Sequence, residues 1–197
     1  MSKTAPDERL TGSGSTREAS PWVMRFIVGV PPGGTLLDLA CGGGRHIRAG
    51  LAAGLDVLGI DRDLSRAADL AGRPGVRLIA ADLEAGDPLP LEGVRFAGVV
   101  VTNYLWRPIL PDILAAVARD GILIYETFAL GNQRFGKPSN PDFLLRPGEL
   151  LEAVAADGAL TPIAYEHVTL VKPQRVVQRI VAVGPDHPWR GAPPEAG

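Results

Sequence analysis

The sequence has few of the residues from which covalent cross-links and metal sites are built. Of its 197 residues, one is cysteine and three are histidine. A single cysteine, Cys41, cannot form an internal disulfide, and His46, His167 and His187 do not have the spacing of metal ligands. The sequence therefore predicts neither a disulfide nor a resident metal ion.

Long apolar runs and dense basic runs are also missing. No stretch approaches the roughly 20 apolar residues of a membrane-spanning helix, and residues 1–20 lack the apolar centre of a signal peptide. Twenty Lys and Arg are balanced by 22 Asp and Glu, without the positive field of a nucleic-acid binder. We expect a cytoplasmic protein, monomeric or weakly dimeric, that acts on a small molecule and binds neither membrane nor nucleic acid.

The composition predicts one globular domain between two flexible ends. Hydrophobic residues make up 46% of the chain, enough for one sizeable core. Residues 1–17 are polar and residues 185–197 are rich in Pro and Gly, so neither end can bury enough apolar surface to offset its ordering entropy. The domain is predicted to span residues 18–184.

Within that domain, apolar strand patterns alternate with helical ones. Helices are predicted at 21–28, 45–53, 63–70, 108–118 and 147–156, and strands at 35–40, 57–60, 76–81, 96–102, 121–127, 161–170 and 175–183. The last two strands are joined by a short turn at Lys172 and Pro173, which requires them to be antiparallel. The pattern predicts an α/β fold with a Rossmann-like, doubly wound, seven-stranded sheet, mostly parallel with one antiparallel strand near the C-terminus.

The stretch LLDLACGGGRH, residues 36–46, ends the first strand in three consecutive glycines. Glycine adopts positive φ without strain and lets the backbone approach a ligand closely. In an open α/β sheet this first turn faces the ligand crevice, so it predicts a binding cradle. A dinucleotide fingerprint would need a third glycine where Ile47 stands, which argues against NAD.

The spacing Asp38-x-Ala40-x-Gly42-x-Gly44 resembles the first motif of class I S-adenosylmethionine-dependent methyltransferases, with alanine in place of the first glycine. The resemblance continues at the ends of the next three strands and covers about residues 34–183. It implies S-adenosylmethionine as cofactor and S-adenosylhomocysteine as product. Within the family the chain looks most like bacterial small-molecule methyltransferases of the tellurite-resistance type, with Gly-Glu-Leu at 148–150.

The resemblance also implies roles for single residues. Asp61 would accept hydrogen bonds from the cofactor ribose, Asp82 would contact the adenine amine, Leu83 would pack on the ring, and Asn103 would contact the methionine end. The residues expected to bind the cofactor are Asp38, Ala40, Gly42, Gly44, Asp61, Arg62, Asp82, Leu83 and Asn103.

Methyl transfer is an in-line displacement that depends on alignment, so no nucleophilic side chain is required. A general base is needed only if the acceptor must lose a proton, and Glu126 and His167 are the candidates. His167 is equally well explained as a partly buried strand residue. Tyr104 and Trp106 would face the reacting groups or simply pack beside the strand end.

The long irregular segment 128–145 should hang over the crevice as a lid. Arg134, Arg146 and Arg175 start near the same rim and would suit a small anionic acceptor, the alternative being ordinary solvated charges. Two rival functions remain: a regulatory module that binds S-adenosylmethionine without transfer, and an NAD-dependent oxidoreductase.

Overall fold

A seven-stranded sheet forms the centre of the protein in the computed structural model, which describes residues 18–91 and 93–195. Its strands are β1 Thr35–Leu39, β2 Asp56–Asp61, β3 Val76–Ala80, β4 Phe96–Thr102, β5 Val117–Phe128, β6 Thr161–Val171 and β7 Gln174–Val183. They lie in the order β3-β2-β1-β4-β5-β7-β6, and only β7 among them runs antiparallel to its neighbours. The predicted sheet is confirmed.

Helices cover both faces of this sheet. They are α1 Pro21–Phe26, α2 Arg45–Ala52, α3 Leu110–Ala115 and α4 Glu149–Asp157. Apolar residues of α1 and α2 pack on one face, and those of α3 and α4 pack on the other. The strand order reverses between β1 and β4, which places the ligand crevice of such a fold at their carboxyl ends.

Two predicted helices differ from the observed ones. The segment predicted as a helix at 63–70 is a 3₁₀ helix, Ser65–Leu70. The helix predicted at 108–118 is a 3₁₀ turn, Arg107–Ile109, followed by α3, which stops at Ala115. It stops there because Val117 already pairs with Phe96 of β4. Strand pairing thus overrides the local helical pattern.

The two chain ends were predicted to be flexible. Residues 1–17 lie outside the described residues. Near the other end, Pro188–Arg190 forms a 3₁₀ turn, and the Trp189 ring meets Phe26 of α1 edge-on at 6.4 Å between centroids. His187 Nε2 lies 2.8 Å from the Gly29 carbonyl oxygen. The beginning of this segment is therefore packed against α1. In the part of the chain that the structure covers, no helix has both the length and the apolar character needed to cross a membrane.

Candidate active site

The glycine turn after β1 has the backbone that its sequence requires. Gly42 and Gly44 have φ of 55° and 72°, and the φ of Ala40 is 55°. This left-handed conformation costs a residue with a Cβ about 1 kcal/mol, so Ala40 stores strain in the turn. A Cβ built on Gly42 would meet no described atom within 4 Å. The backbone at Gly42 thus faces open space.

Asp38 of β1 lies just before this turn and is the most unusual group of the site. Its side chain is 1% exposed, and neither carboxylate oxygen has a hydrogen-bond partner among the described residues. His46 Nδ1 lies 3.8 Å from Oδ1, beyond hydrogen-bond distance. A buried carboxylate without donors is expensive, so its retention points to a cationic or hydrogen-bonding ligand.

His46 connects the turn to the segment that precedes α1. Its Nε2 accepts a hydrogen bond from the Ser20 N–H at 3.1 Å. In the neutral ring, the proton must therefore be on Nδ1, which faces Asp38 and lies 3.4 Å from the Thr102 hydroxyl. Sequence reasoning missed this arrangement, because it considered His46 only as a metal ligand and rejected it, and no local pattern joins His46 to Ser20, 26 positions away.

Asp61, predicted to bind the ribose, lies against the glycine turn at the end of β2. Its Oδ2 accepts the Gly42 N–H at 2.8 Å, and its Oδ1 accepts the Asp63 N–H at 3.0 Å. A carboxylate has about four acceptor positions, so two remain for a diol. Asp61 therefore holds the turn in shape and can still bind a ligand. Arg62, next to it, is exposed.

The predicted adenine side lies at the end of β3. Asp82 is exposed and its Oδ1 accepts the Glu84 N–H at 3.0 Å, whereas Leu83 is buried in the core. The Tyr104 hydroxyl is buried and finds no partner in the described chain. Burial raises the pKa of Tyr104, and the nearby carboxylates of Glu84, Asp82 and Asp61 raise it further. The phenol stays protonated, so Tyr104 is a hydrogen-bond donor on this side rather than a base.

A row of polar side chains crosses the face that α1 covers. Strand register places Thr102, Glu126, Arg179 and Glu166 side by side on β4, β5, β7 and β6. Glu126 is 1% exposed, and its two oxygens contact the Ser20 hydroxyl at 3.1 Å, Arg175 Nη2 at 3.3 Å and Arg179 Nη1 at 3.4 Å. We call these four residues the Glu126 row. Two guanidinium groups are thus in contact with the Glu126 carboxyl group.

The structure does not bring the two predicted bases together. Because side chains alternate along a strand, His167 points to the face opposite Glu166 and the Glu126 row. It is exposed on the outermost strand of the sheet. Asn103 follows β4 with φ of 55°, an uncommon value for a residue with a Cβ, and its N–H donates to the Glu126 carbonyl at 2.9 Å. Asn103 is exposed at the crevice.

Two arginines near the predicted rim make structural contacts instead. Arg107 Nε donates to Glu149 at 2.6 Å, and its Nη1 and Nη2 donate to the carbonyls of Asp142 and Leu144 at 2.6 and 2.9 Å. Burial opposes ionisation of Glu149, but hydrogen bonds from Arg107 and from the Arg146 backbone hold its pKa below the ordinary value. The Arg146 guanidinium reaches Glu152 at 3.4 Å.

The two ends of segment 128–145 are hydrogen-bonded to each other. Leu130 N–H donates to the Leu145 carbonyl at 2.9 Å, and Leu145 N–H donates to Phe128 at 3.0 Å. Arg134 is exposed and donates to the carbonyl of Gly131 in its own loop at 3.2 Å. Trp106, beside this segment, is half-buried against the core. Of the predicted substrate residues, Arg175 is the one that reaches the Glu126 row.

Comparison with protein-family models finds no match, and comparison with curated proteins finds none at the sequence level. Solved structures do match in fold. A TehB-like S-adenosylmethionine-dependent methyltransferase from Corynebacterium glutamicum is 22% identical, with a TM-score of 0.59 over 83% of this chain and 87% of that one.

Two further solved structures with a similar fold are named for different activities. The 1,6-didemethyltoxoflavin-N1-methyltransferase of Burkholderia thailandensis, solved with 1,6-didemethyltoxoflavin and S-adenosylhomocysteine, is 20% identical, with a TM-score of 0.63 over 83% of this chain and 76% of that one. The [4+2]-cyclase SpnF is 17% identical, with a TM-score of 0.62 over 83% and 80%. At these identities the likeness shows the fold alone, which is the Rossmann-like fold of class I methyltransferases.

Proposed function

We propose that this protein is a methyltransferase that uses S-adenosylmethionine, releases S-adenosylhomocysteine and methylates a small molecule in the cytoplasm. The observation that carries the proposal is Asp38, a buried carboxylate without donors that lies beside an open glycine turn. An ammonium group, such as the one at the methionine end of the cofactor, would supply the missing charge and donors. The fold and the motif spacing support the same cofactor.

The other cofactor contacts follow from where the polar groups lie. The open backbone at Gly42 would approach the methionine end, and the free acceptor positions of Asp61 suit a ribose diol. The unpaired Tyr104 hydroxyl, close to Asp61, Asp82 and Glu84, is a further donor for the nucleoside. When bound, the cofactor would supply a methyl group already activated on sulfur.

The chain itself would then contribute alignment and exclusion of water. Ser20, held by His46 and Glu126, brings the segment before α1 across the carboxyl ends of β1, β4 and β5. The acceptor would bind between this segment and segment 128–145, close to Asn103. Because Glu126 is paired with arginines and His167 lies on the other face, we propose an acceptor that these residues need not deprotonate.

Experiment can test one more specific family assignment and one alternative function. Likeness to a TehB-like structure supports the tellurite-resistance type as a prediction within the proposed family. One matching fold belongs to a protein named as a [4+2]-cyclase rather than a methyltransferase, which supports as the second candidate a regulatory module that binds S-adenosylmethionine without transferring its methyl group.

Calorimetric titration tests the cofactor directly. We expect S-adenosylhomocysteine to bind with micromolar affinity and NADH not to bind. Incubation with methyl-labelled S-adenosylmethionine and a panel of small acceptors then separates the two candidates, since a binding module would retain the label on the cofactor. NADH binding without S-adenosylhomocysteine binding would overturn the proposal in favour of an oxidoreductase.

A further inference from the structure

Arg175, at the start of β7, has an incompletely satisfied guanidinium group. Its side chain is 17% exposed, and its Nη2 contacts Glu126 Oε1 at 3.3 Å. Its Nε is buried and has no hydrogen-bond partner in residues 18–91 and 93–195. A buried N–H of a charged group that donates to nothing carries a large desolvation cost.

Arg179 lies on the same face of β7 as Arg175, and the donors of its guanidinium group are better paired. Its Nε donates to Glu166 at 2.8 Å, and its Nη1 reaches Glu126 at 3.4 Å. Its guanidinium carbon also lies 4.5 Å from the centre of the Trp22 ring. Arg179 therefore acts as a structural counter-ion within the Glu126 row, whereas Arg175 has donor capacity to spare.

The position of Arg175 places this spare donor at the crevice. Its neighbour Val176 donates to the Asn132 side chain at 3.2 Å and accepts from the Ala129 N–H at 3.0 Å, so Arg175 lies where segment 128–145 meets β7. Through Glu126 it is joined to Ser20, which covers the carboxyl ends of the central strands. The Nε–H is thus enclosed between the two segments that would surround an acceptor.

We propose that Arg175 anchors the methyl acceptor by binding a carboxylate group of the acceptor through the Nε–H edge of its guanidinium group. A planar guanidinium fork matches a planar carboxylate in both geometry and charge. Glu126 acts as a positioning residue, because its carboxylate holds Arg175 in place and balances its charge. The inference rests on the proposed function and narrows the acceptor to a small carboxylic acid.

Within this charged cluster, Arg175 is the arginine with the weaker pairing. Glu126 and Glu166 balance Arg175 and Arg179, so the cluster is neutral as a whole. The 3.3 Å contact between Arg175 and Glu126 is long for a charge-assisted hydrogen bond, which leaves Arg175 the less neutralised of the two arginines. Arg134 and Arg146, the other arginines considered for this role, are held in contacts of their own loops and helix.

The test is a titration of the protein, saturated with S-adenosylhomocysteine, with acetate and with its neutral isostere acetamide. The ¹H–¹⁵N resonance of the Arg175 Nε–H reports binding directly. We expect acetate to shift it saturably and acetamide to leave it in place. In Arg175→Lys, the backbone amide shifts of residues 174–177 should show acetate binding weakened roughly tenfold or more, because lysine keeps the charge but loses the fork. Arg77→Lys, an exposed arginine on β3, is the matched control and should respond as the wild type does.

The outcomes separate this inference from the function on which it rests. If S-adenosylhomocysteine binds but acetate leaves the Arg175 Nε–H unshifted, or if acetamide shifts it equally, the anchor is wrong and the proposed function stands. If the cofactor product fails to bind, the titration of the protein alone still tests Arg175. Should Arg175→Lys fold poorly, the wild-type titration decides the question by itself.

Discussion

Replacing Asp38 by asparagine should stabilise the protein without ligand and weaken its binding of the cofactor. The carboxylate is buried in the central strand β1, and the described chain offers no donor to either oxygen. Asparagine has nearly the same shape and carries no charge. The substitution therefore removes the desolvation cost of the buried carboxylate, which no hydrogen bond within the described chain offsets. It also removes the partner of the proposed ammonium group.

The two effects have opposite signs and measurable sizes. Removing a buried carboxyl group whose oxygens accept no hydrogen bond should raise the free energy of unfolding by about 1 to 3 kcal/mol. For a domain of this length that corresponds to a rise in Tm of about 2 to 12 °C. Losing a charge-assisted contact should weaken S-adenosylhomocysteine binding by about 1.5 to 3 kcal/mol, or roughly tenfold to 150-fold. A residue kept only for structure would not show this trade of stability for binding.

Thermal denaturation followed by circular dichroism and calorimetric titration give the two quantities. Asp56→Asn is the matched control, because Asp56 is an exposed aspartate on β2 of the same sheet and its replacement should change stability by less than about 0.5 kcal/mol. If Asp38→Asn lowers the Tm, or if its affinity for S-adenosylhomocysteine stays within about twofold of wild type, the interpretation of Asp38 is refuted.

Three further predictions concern Asp61, Ala40 and Glu149. Asp61→Ala should weaken S-adenosylhomocysteine binding by about 1.5 to 3 kcal/mol in calorimetry, and unchanged affinity would contradict the ribose assignment. Ala40→Gly should leave the unfolding free energy unchanged or raise it by up to about 1 kcal/mol, because it relieves a positive φ. In contrast, Ala155→Gly, at an exposed position of helix α4, should lower it by about 1 kcal/mol in the same denaturant titration. Glu149 has a depressed pKa, so the stability that it contributes is complete above its ordinary pKa of 4.5 and is lost as the pH falls through the lower folded value. Urea titrations across this range should show that loss, and Arg107→Gln should reduce it; an equal loss in the variant would exclude the Arg107 contact as its cause.

The fold was largely predictable because its signals are local. The apolar runs of β1 and β4 are long enough to identify as strands, and the helix start at Ser20 and Pro21 depends on one side chain and one ring. At the end of α3, where the prediction failed, a distant partner intervened. The end of α3 is fixed by pairing of Val117 with β4, and no periodicity within residues 108–118 records that pairing.

The candidate site divides in the same way. The sequence by itself determined the glycine turn and the acidic residues at successive strand ends, because motif spacing and backbone conformation are properties of short segments. Only the tertiary structure decided which charged groups are available. Arg107 and Arg175 look alike in the sequence, yet one clamps Glu149 and the other keeps a buried donor unpaired. Strand register and loop path bring such partners together across tens of residues, and those depend on the packing of the whole chain rather than on any local pattern.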